Sequence, residues 1–305
     1  MAVAEVVLPI FAAVFLGMYA RRKNMMTVQQ NQGLQQFVMQ FGLPCVLFNS
    51  TLTASIGAEA LVSMALVFPV ILGSALWAFR ARKKQFPYHN LPMLFSAQES
   101  GMLGIPLYMT LFGAAQAYRM GVLDLGQQLV AIPTIAILAA SAGENPTLKE
   151  IVRKVLCSPF LVMSIAGLAL NLSGAAAAMA QIGLLDVITE VTGFIAQPVS
   201  AVMLFSVGFN FVLSDGNKEA IRRISIIHLT MFALAGLVMQ AILLLVPGVV
   251  AEMRWAVLMY TTLPASYLAS SLGRTEDEAA MASGVCSLLT VVSLAVFCVA
   301  AFFVA

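Results

Sequence analysis

Residues 90–113 read NLPMLFSAQESGMLGIPLYMTLFG, an apolar stretch long enough to cross a bilayer but interrupted at its centre by Glu99, Ser100, Gly101, Gly104 and Pro106. A glycine in a helix interior costs roughly 1 kcal/mol relative to alanine, and a proline about 3. The sequence therefore predicts a membrane helix that opens in its middle. Exposed backbone is tolerable at that depth only where it lines a cavity or is buried in protein. Residues 255–273, WAVLMYTTLPASYLASSLG, repeat the theme. Their weak point is Thr261, Thr262 and Pro264, and the half that follows carries Ser266, Tyr267, Ser270 and Ser271.

The rest of the chain makes lipid the solvent in which both stretches must be read. Of its 305 residues 61% are hydrophobic and 10% charged, whereas soluble domains carry roughly 25% charged residues. A spanning helix needs about 20 apolar residues. Ten such spans are expected near 3–20, 33–52, 59–79, 91–114, 122–142, 156–174, 190–213, 224–247, 254–272 and 279–304. The stretch from Ala175 to Glu190, with Asp186, is expected to lie in the interface before the seventh. The first span starts without a basic leader, so it reads as a helix that is retained.

The basic residues orient these spans. Arg21, Arg22 and Lys23 follow the first, and Arg80, Arg82, Lys83 and Lys84 the third. Lys149, Arg153 and Lys154 follow the fifth, Lys218, Arg222 and Arg223 the seventh, and Arg274 the ninth. Only Arg119 and Arg254 fall on the other side. Short loops rich in Lys and Arg stay cytoplasmic, so both termini are expected outside. The formal net charge of +2 is uninformative about partners; membrane lipid is expected and nucleic acid is not.

Ten spans invite a search for a five-plus-five duplication. In the first span Pro9 and Gly17 are eight apart, and in the sixth so are Pro159 and Gly167. Pro44 of the second matches Pro198 of the seventh, and Pro106 of the fourth matches Pro264 of the ninth. Because five is odd, the second half enters from the opposite side. The expected fold is thus an all-α polytopic membrane protein with an inverted repeat: 1–142, a short cytoplasmic connection at 143–155, and 156–305. Helices 4 and 9 are its broken crossing helices.

Broken helices in corresponding places of inverted halves point to a midplane transport site. Half-helices expected to begin near Gly104 and near Thr262 would each present unpaired N–H groups, carrying roughly half a unit of positive charge. Two such ends facing each other would attract an anion without any Lys or Arg. Candidate binding residues are Glu99, Ser100, Gly101, Gly104, Pro106, Thr262, Pro264 and Ser266, with Asn49 and Gln128 in support. Gln40, Ser50, Gln197 and Asn210 read as bonds between helices. Glu99 is the one acidic residue near the centre of a span. An intramembrane carboxyl is a functional candidate by default, here a proton carrier, a counter-ion, or a single structural hydrogen bond. His89 and His228 read as interfacial. Cys45, Cys157, Cys286 and Cys298 form no CxxC pair or Cys/His cluster, so they read as small buried hydrophobes. No metal, cofactor or catalytic constellation is expected, and the chain does not read as an enzyme.

Several stretches together resemble the auxin efflux carrier family in its compact bacterial form. VLPIFAAVFLGMYARRKNMM (7–26) and LQQFVMQFGLPCVLFNS (34–50) are similar to its opening. ESGMLGIPL (99–107) is similar to its fourth-helix motif, Asn-x-Gly-x-x-Gly-x-Pro, and 261–294 to its last two helices. The resemblance implies a scaffold of helices 1, 2, 6 and 7 through which two protomers pair. It also implies a moving unit of helices 3–5 and 8–10, and elevator-like alternating access. The architecture is shared with bile-acid sodium symporters and sodium/proton antiporters. It implies a bacterial inner-membrane carrier of malate, malonate or a related dicarboxylate; coupling to a proton through Glu99, to sodium held by unwound backbone carbonyls, or to neither stays open. Glu99 departs from the family's asparagine, and an ionised carboxylate there would repel an anion. A cationic or zwitterionic substrate with Glu99 as counter-ion therefore stays open, and a membrane sensor is a remote alternative.

Overall fold

A chain with this much apolar surface must satisfy its backbone polar groups internally, and helices do so within one segment. A computed structural model of the protein describes residues 3–54, 57–141, 147, 150, 153, 156–212 and 217–304. Among the described residues every element is helical, and the one β pairing is a single antiparallel bridge between Gln98 and Ala265. Six helical stretches are long and apolar enough to cross a membrane. They are α1 (Val3–Arg22), α4 (Ala58–Lys84), α7 (Ala117–Ser141, entered through a 3-10 turn from Ala114), the run α10–α11 (Leu184–Ala196 and Val199–Asn210), α12 (Lys218–Leu243) and α15 (Glu276–Val304). The chain is thus a multi-pass membrane protein. Large side chains such as Leu237 and Phe302 point outward from these helices, as lipid-facing positions should.

The remaining elements are shorter. α2 (Val28–Phe37) opens on a reciprocal cap between Thr27 and Gln30, then passes through a π turn, Val38–Gly42, into α3 (Leu43–Leu52). α5 (Leu91–Leu94) and α6 (Ile105–Phe112) flank the first interruption. α8 (Pro159–Leu172) and α9 (Ala175–Gln181) meet at a bend of 75°. α13 (Ala251–Thr261) and α14 (Leu268–Ser271) flank the second interruption.

Small residues set the closest contacts, as is usual where lipid removes the hydrophobic drive between helices. α1 lies against α11 with Gly17 at the Phe205 carbonyl and Gly208 at the Val14 carbonyl, so close that neither could carry a Cβ. α3 lies against α8 in the same manner, with Gly167 at the Phe48 carbonyl and the Thr51 hydroxyl. α4 packs on α7, and α12 on α13 and α15. Side-chain amides fasten α2 to α11 and α8 to α3. Asn31 donates to Asn210 Oδ1 at 3.1 Å and accepts from Ser206 at 3.0 Å. Asn171 donates to the carbonyls of Thr51 and Ala54 at 2.9 and 2.8 Å.

Three expectations need correction. Asp186 and Glu190 belong to α10, which runs on toward α11, so of the stretch expected in the interface only α9 stands apart from that apolar run. An amphipathic helix absorbs two acids on its exposed side without stopping. His228 is buried mid-way along α12 rather than interfacial. Cys157 is exposed, just ahead of α8, while Cys45 and Cys286 are buried. Most of the expected connection 143–155, including Lys149 and Lys154, lies outside the described residues.

Candidate functional site

The first interruption begins where α5 stops after one turn. Phe95 and Ser96 peel away, Gln98 forms the bridge to Ala265, and helix resumes at Ser100 as a π turn. Hydroxyls take up what the backbone gives up: Ser74 donates to the Phe95 carbonyl at 2.7 Å, and Ser96 donates to the Pro92 carbonyl at 2.6 Å. The amides of Leu103 and Gly104 both donate to the Glu99 carbonyl, at 3.2 and 3.0 Å. Pro106 follows the π turn, six residues into the helix that resumes at Ser100.

The second interruption begins where α13 ends at Thr261. Proline disfavours the α conformation for the residue before it, so Pro264 stops the helix ahead of itself. Thr262 Oγ1 turns back to the carbonyls of Leu258 and Met259, at 3.2 and 2.9 Å. The two interrupted segments then satisfy each other. Glu99 N–H donates to the Pro264 carbonyl at 2.8 Å, and Ser266 N–H donates to the Ala97 carbonyl at 3.0 Å. Gly104 permits this approach, since a Cβ there would stand 2.7 Å from Leu263 Cδ1.

Side chains from α7 complete the first interruption. Gln127 pairs with the extended backbone at Gln98 as a neighbouring strand would. Its Oε1 accepts from Gln98 N–H at 2.8 Å and its Nε2 donates to the Gln98 carbonyl at 3.1 Å. The same Oε1 accepts from the Tyr260 hydroxyl of α13 at 2.7 Å, so one amide grips both broken helices. Asp124 accepts from Ser100 Oγ, from Gln127 Nε2 at 2.7 Å and from Gln128 Nε2 at 3.1 Å. With its amide nitrogen turned toward them, Gln98 donates to the carbonyls of Leu263 and Pro264, each at 3.0 Å.

Glu99 is buried at the junction. Its Oε2 accepts from Tyr267 N–H at 2.7 Å, and the Ser266 hydroxyl and the Asp124 charge lie close to it. Around the second interruption, hydroxyls and a thiol from α15 replace the amides of α7. Ser293 donates to the Thr262 carbonyl, Tyr267 and Thr290 share a bond of 2.9 Å, and Cys286 donates to the Ser266 carbonyl at 3.6 Å. Behind the first interruption, Phe95 packs on Trp77 and on His228, whose ring nitrogens have no partner among the described residues.

The crossing thus gathers Glu99, Ser100, Gly104, Pro264 and Ser266 directly, and Gln128 through Asp124. Gly101 packs against Met39, Pro106 supports α6, and Thr262 caps α13. Asn49 lies elsewhere, accepting from Thr192 of α10 at 2.7 Å. The expected helix start near Thr262 lies elsewhere: α13 ends at Thr261 and helix resumes only at Leu268, as the one-turn α14 whose leading Tyr267 N–H donates to Glu99. The other helix starts at Ser100, and the N–H groups of Glu99 and Ser266 are spent across the bridge. Pro106 and Pro264, matched in sequence, differ in place: Pro106 lies inside the helix that resumes at Ser100, and Pro264 lies in the break after α13. Sequence reasoning missed Asp124, Gln127 and Tyr260. A detectable signal was there, because Asp124, Gln127 and Gln128 recur at the i, i+3, i+4 spacing of one helix face in an apolar stretch.

Chemically, the arrangement buries two carboxylates and several backbone carbonyls where two helices are broken, a setting that suits a cation, including a proton, better than a bare anion. The family described as "Membrane transport protein" matches residues 2–298, nearly the whole chain. No curated protein matches it.

Proposed function

The chain belongs to the membrane transport protein family, that of the auxin efflux carriers, and from that premise we propose that it is a secondary transporter of a small organic anion such as malate or malonate. The observation that carries this reading is the meeting of two interrupted helices at Gln98 and Ala265 with Glu99 and Asp124 buried beside it. A structural kink needs no carboxylate, and an unpaired charge at that depth is costly. In this reading a proton, or sodium held by backbone carbonyls, neutralises the acids while the anion crosses.

The proposed frame is ten spans in an inverted repeat, with both termini periplasmic in a bacterial inner membrane. Spans two, four, seven and nine are the interrupted runs α2–α3, α5–α6, α10–α11 and α13–α14. The packing supports the repeat. Span one lies on seven and span two on six, each through a glycine of the matched pair Gly17 and Gly167. Span three lies on five as eight lies on ten. Exchanging the halves converts each contact into its counterpart. The moving unit would be α4–α7 with α12–α15, sliding elevator-like against a dimeric scaffold of α1–α3 and α8–α11.

A second reading, a cationic or zwitterionic substrate, draws on the same two carboxylates. Purified protein in liposomes distinguishes them: uptake of labelled malate or malonate should follow an imposed proton or sodium gradient. No uptake of any organic acid, with thermal stabilisation by amines instead, would replace the first reading by the second. Cysteine labelling from the cytoplasm should reach Lys83 and Lys218 but not Ala178; labelling at Ala178 would overturn the orientation.

A further inference from the structure

The crossing itself offers an anion little, so an organic acid needs a cationic contact elsewhere. We infer that Arg119, at the corner between α6 and α7, is a carboxylate-recognition residue of this transporter, an inference that rests on the organic-anion reading above. Arg119 is only 6% exposed, and its Nη1 is buried without a hydrogen-bond partner among the described residues. Its guanidinium carbon lies 4.8 Å from the centre of the Tyr118 ring, and Tyr108 is within reach of its charge. Arginine stays charged in proteins, and buried charges are paired or bound to something of opposite sign. The only ion pair among the described residues is the exposed Arg222–Glu219. Glu252, at the start of α13, accepts from the Tyr108 hydroxyl through its carbonyl and makes no ion pair with Arg119 among the described residues.

The position is unfavourable for a purely structural cation. Arg119 is the third residue of α7, whose first turn contains no acid, and a helix N-terminus favours negative charge. A carboxylate there would meet the guanidinium fork and the positive helix end together, which is the geometry in which arginine binds carboxylates most strongly. The corner Gly113–Ala115 is exposed one turn away, which gives the ligand a short approach. Five residues further along α7, about 7.5 Å at the rise of a helix, stands Asp124 of the crossing. Arg119 would take the anion at the mouth while Glu99 and Asp124 handle the coupling cation, which removes the clash between an acidic crossing and an acidic substrate. Gln116 Oε1, a buried acceptor without a partner in the same corner, is available to a substrate hydroxyl.

The test compares wild type with Arg119→Met and Arg119→Lys in lipid nanodiscs, measuring ligand-free Tm and malonate affinity. Arg119→Met is expected to leave the ligand-free Tm unchanged or raised and to weaken malonate binding at least about tenfold. Arg119→Lys, which keeps the charge but loses the fork, should fall between. Malonate bound equally by wild type and either variant overturns the inference and leaves the transport reading standing. A lower Tm in Arg119→Met, matched non-additively by Glu252→Gln, overturns it by making Arg119 half of an internal pair. Flat titrations of wild type with malonate, succinate and malate overturn it together with the organic-anion reading. Arg119-dependent binding without any uptake by wild type sinks the transport reading alone.

Discussion

The two interruptions are the same backbone event completed with different chemistry. At the first, an amide and a carboxylate from α7 stand in for the missing helix bonds, and Glu99 sits at the turn. At the second, the partners are hydroxyls and a thiol from α15, none of which carries charge at neutral pH. The difference teaches that a crossing of broken helices does not need two equivalent halves. One half supplies the ionisable groups, the other supplies carbonyls and flexible caps, and Gln127 ties them through Tyr260.

The largest effect is expected where the halves touch. Gly104→Leu would drive a side chain into Leu263, an overpacking that costs about 1–3 kcal/mol, and should abolish uptake while folded protein remains in the membrane. Gly101→Ala, whose Cβ would meet Met39 at an ordinary 3.5 Å, should transport normally. Equal uptake by the two variants would show that the halves need not lie close.

Next come the two carboxylates. Glu99→Gln should keep substrate binding and lose uptake driven by a pH gradient, because the amide imitates the protonated acid. A loss of binding worth about 2–5 kcal/mol would instead mark Glu99 as counter-ion to a cationic substrate. Asp124→Asn should lose stability, since three donors aim at its carboxylate and an amide would set donor against donor, costing about 1–3 kcal/mol. Stability and uptake measured on both variants separate carrier from anchor.

Smaller changes test the closure of each break. Gln127→Leu strands the Gln98 N–H and carbonyl and the Tyr260 hydroxyl, so its Tm should fall well below that of Gln128→Leu, which loses one bond to Asp124. Ser293→Ala at the second break removes a single hydroxyl donor and should cost about 1 kcal/mol. A larger loss for Ser293 than for Gln127 would reverse the proposed division of labour.

The smallest effect concerns the other contact between the two runs, where Asn90 donates to the Ala269 carbonyl of α14. Beside it, burial and the charges of Arg274 and Arg82 hold the His89 imidazole below its ordinary pKa, against a weaker pull from Glu278. An unfolded chain therefore binds a proton here more readily than the folded one. Stability from this site is complete above about pH 6.5, the unperturbed value, and declines as pH falls below it. His89→Gln should flatten that decline in a thermal melt series.

The sequence by itself determined the membrane setting, the places of the six long apolar helices, the interruption of the stretches 90–113 and 255–273, and the placement of Glu99 within the first of them. These follow from local quantities: hydropathy summed over a window, and the backbone limits of glycine and proline. It could not decide where beside each proline the break would fall, and so paired Pro106 with Pro264 although one follows its break and the other lies within it. Only the tertiary structure brought Gln98 to Ala265, turned Gln127 toward both breaks, and buried His228 against Phe95. It also withheld Asn49 from the crossing and left the Arg119 Nη1 enclosed without a partner among the described residues. Each of these depends on which distant segment fills the space around a polar group, and spacing along one chain carries no measure of that.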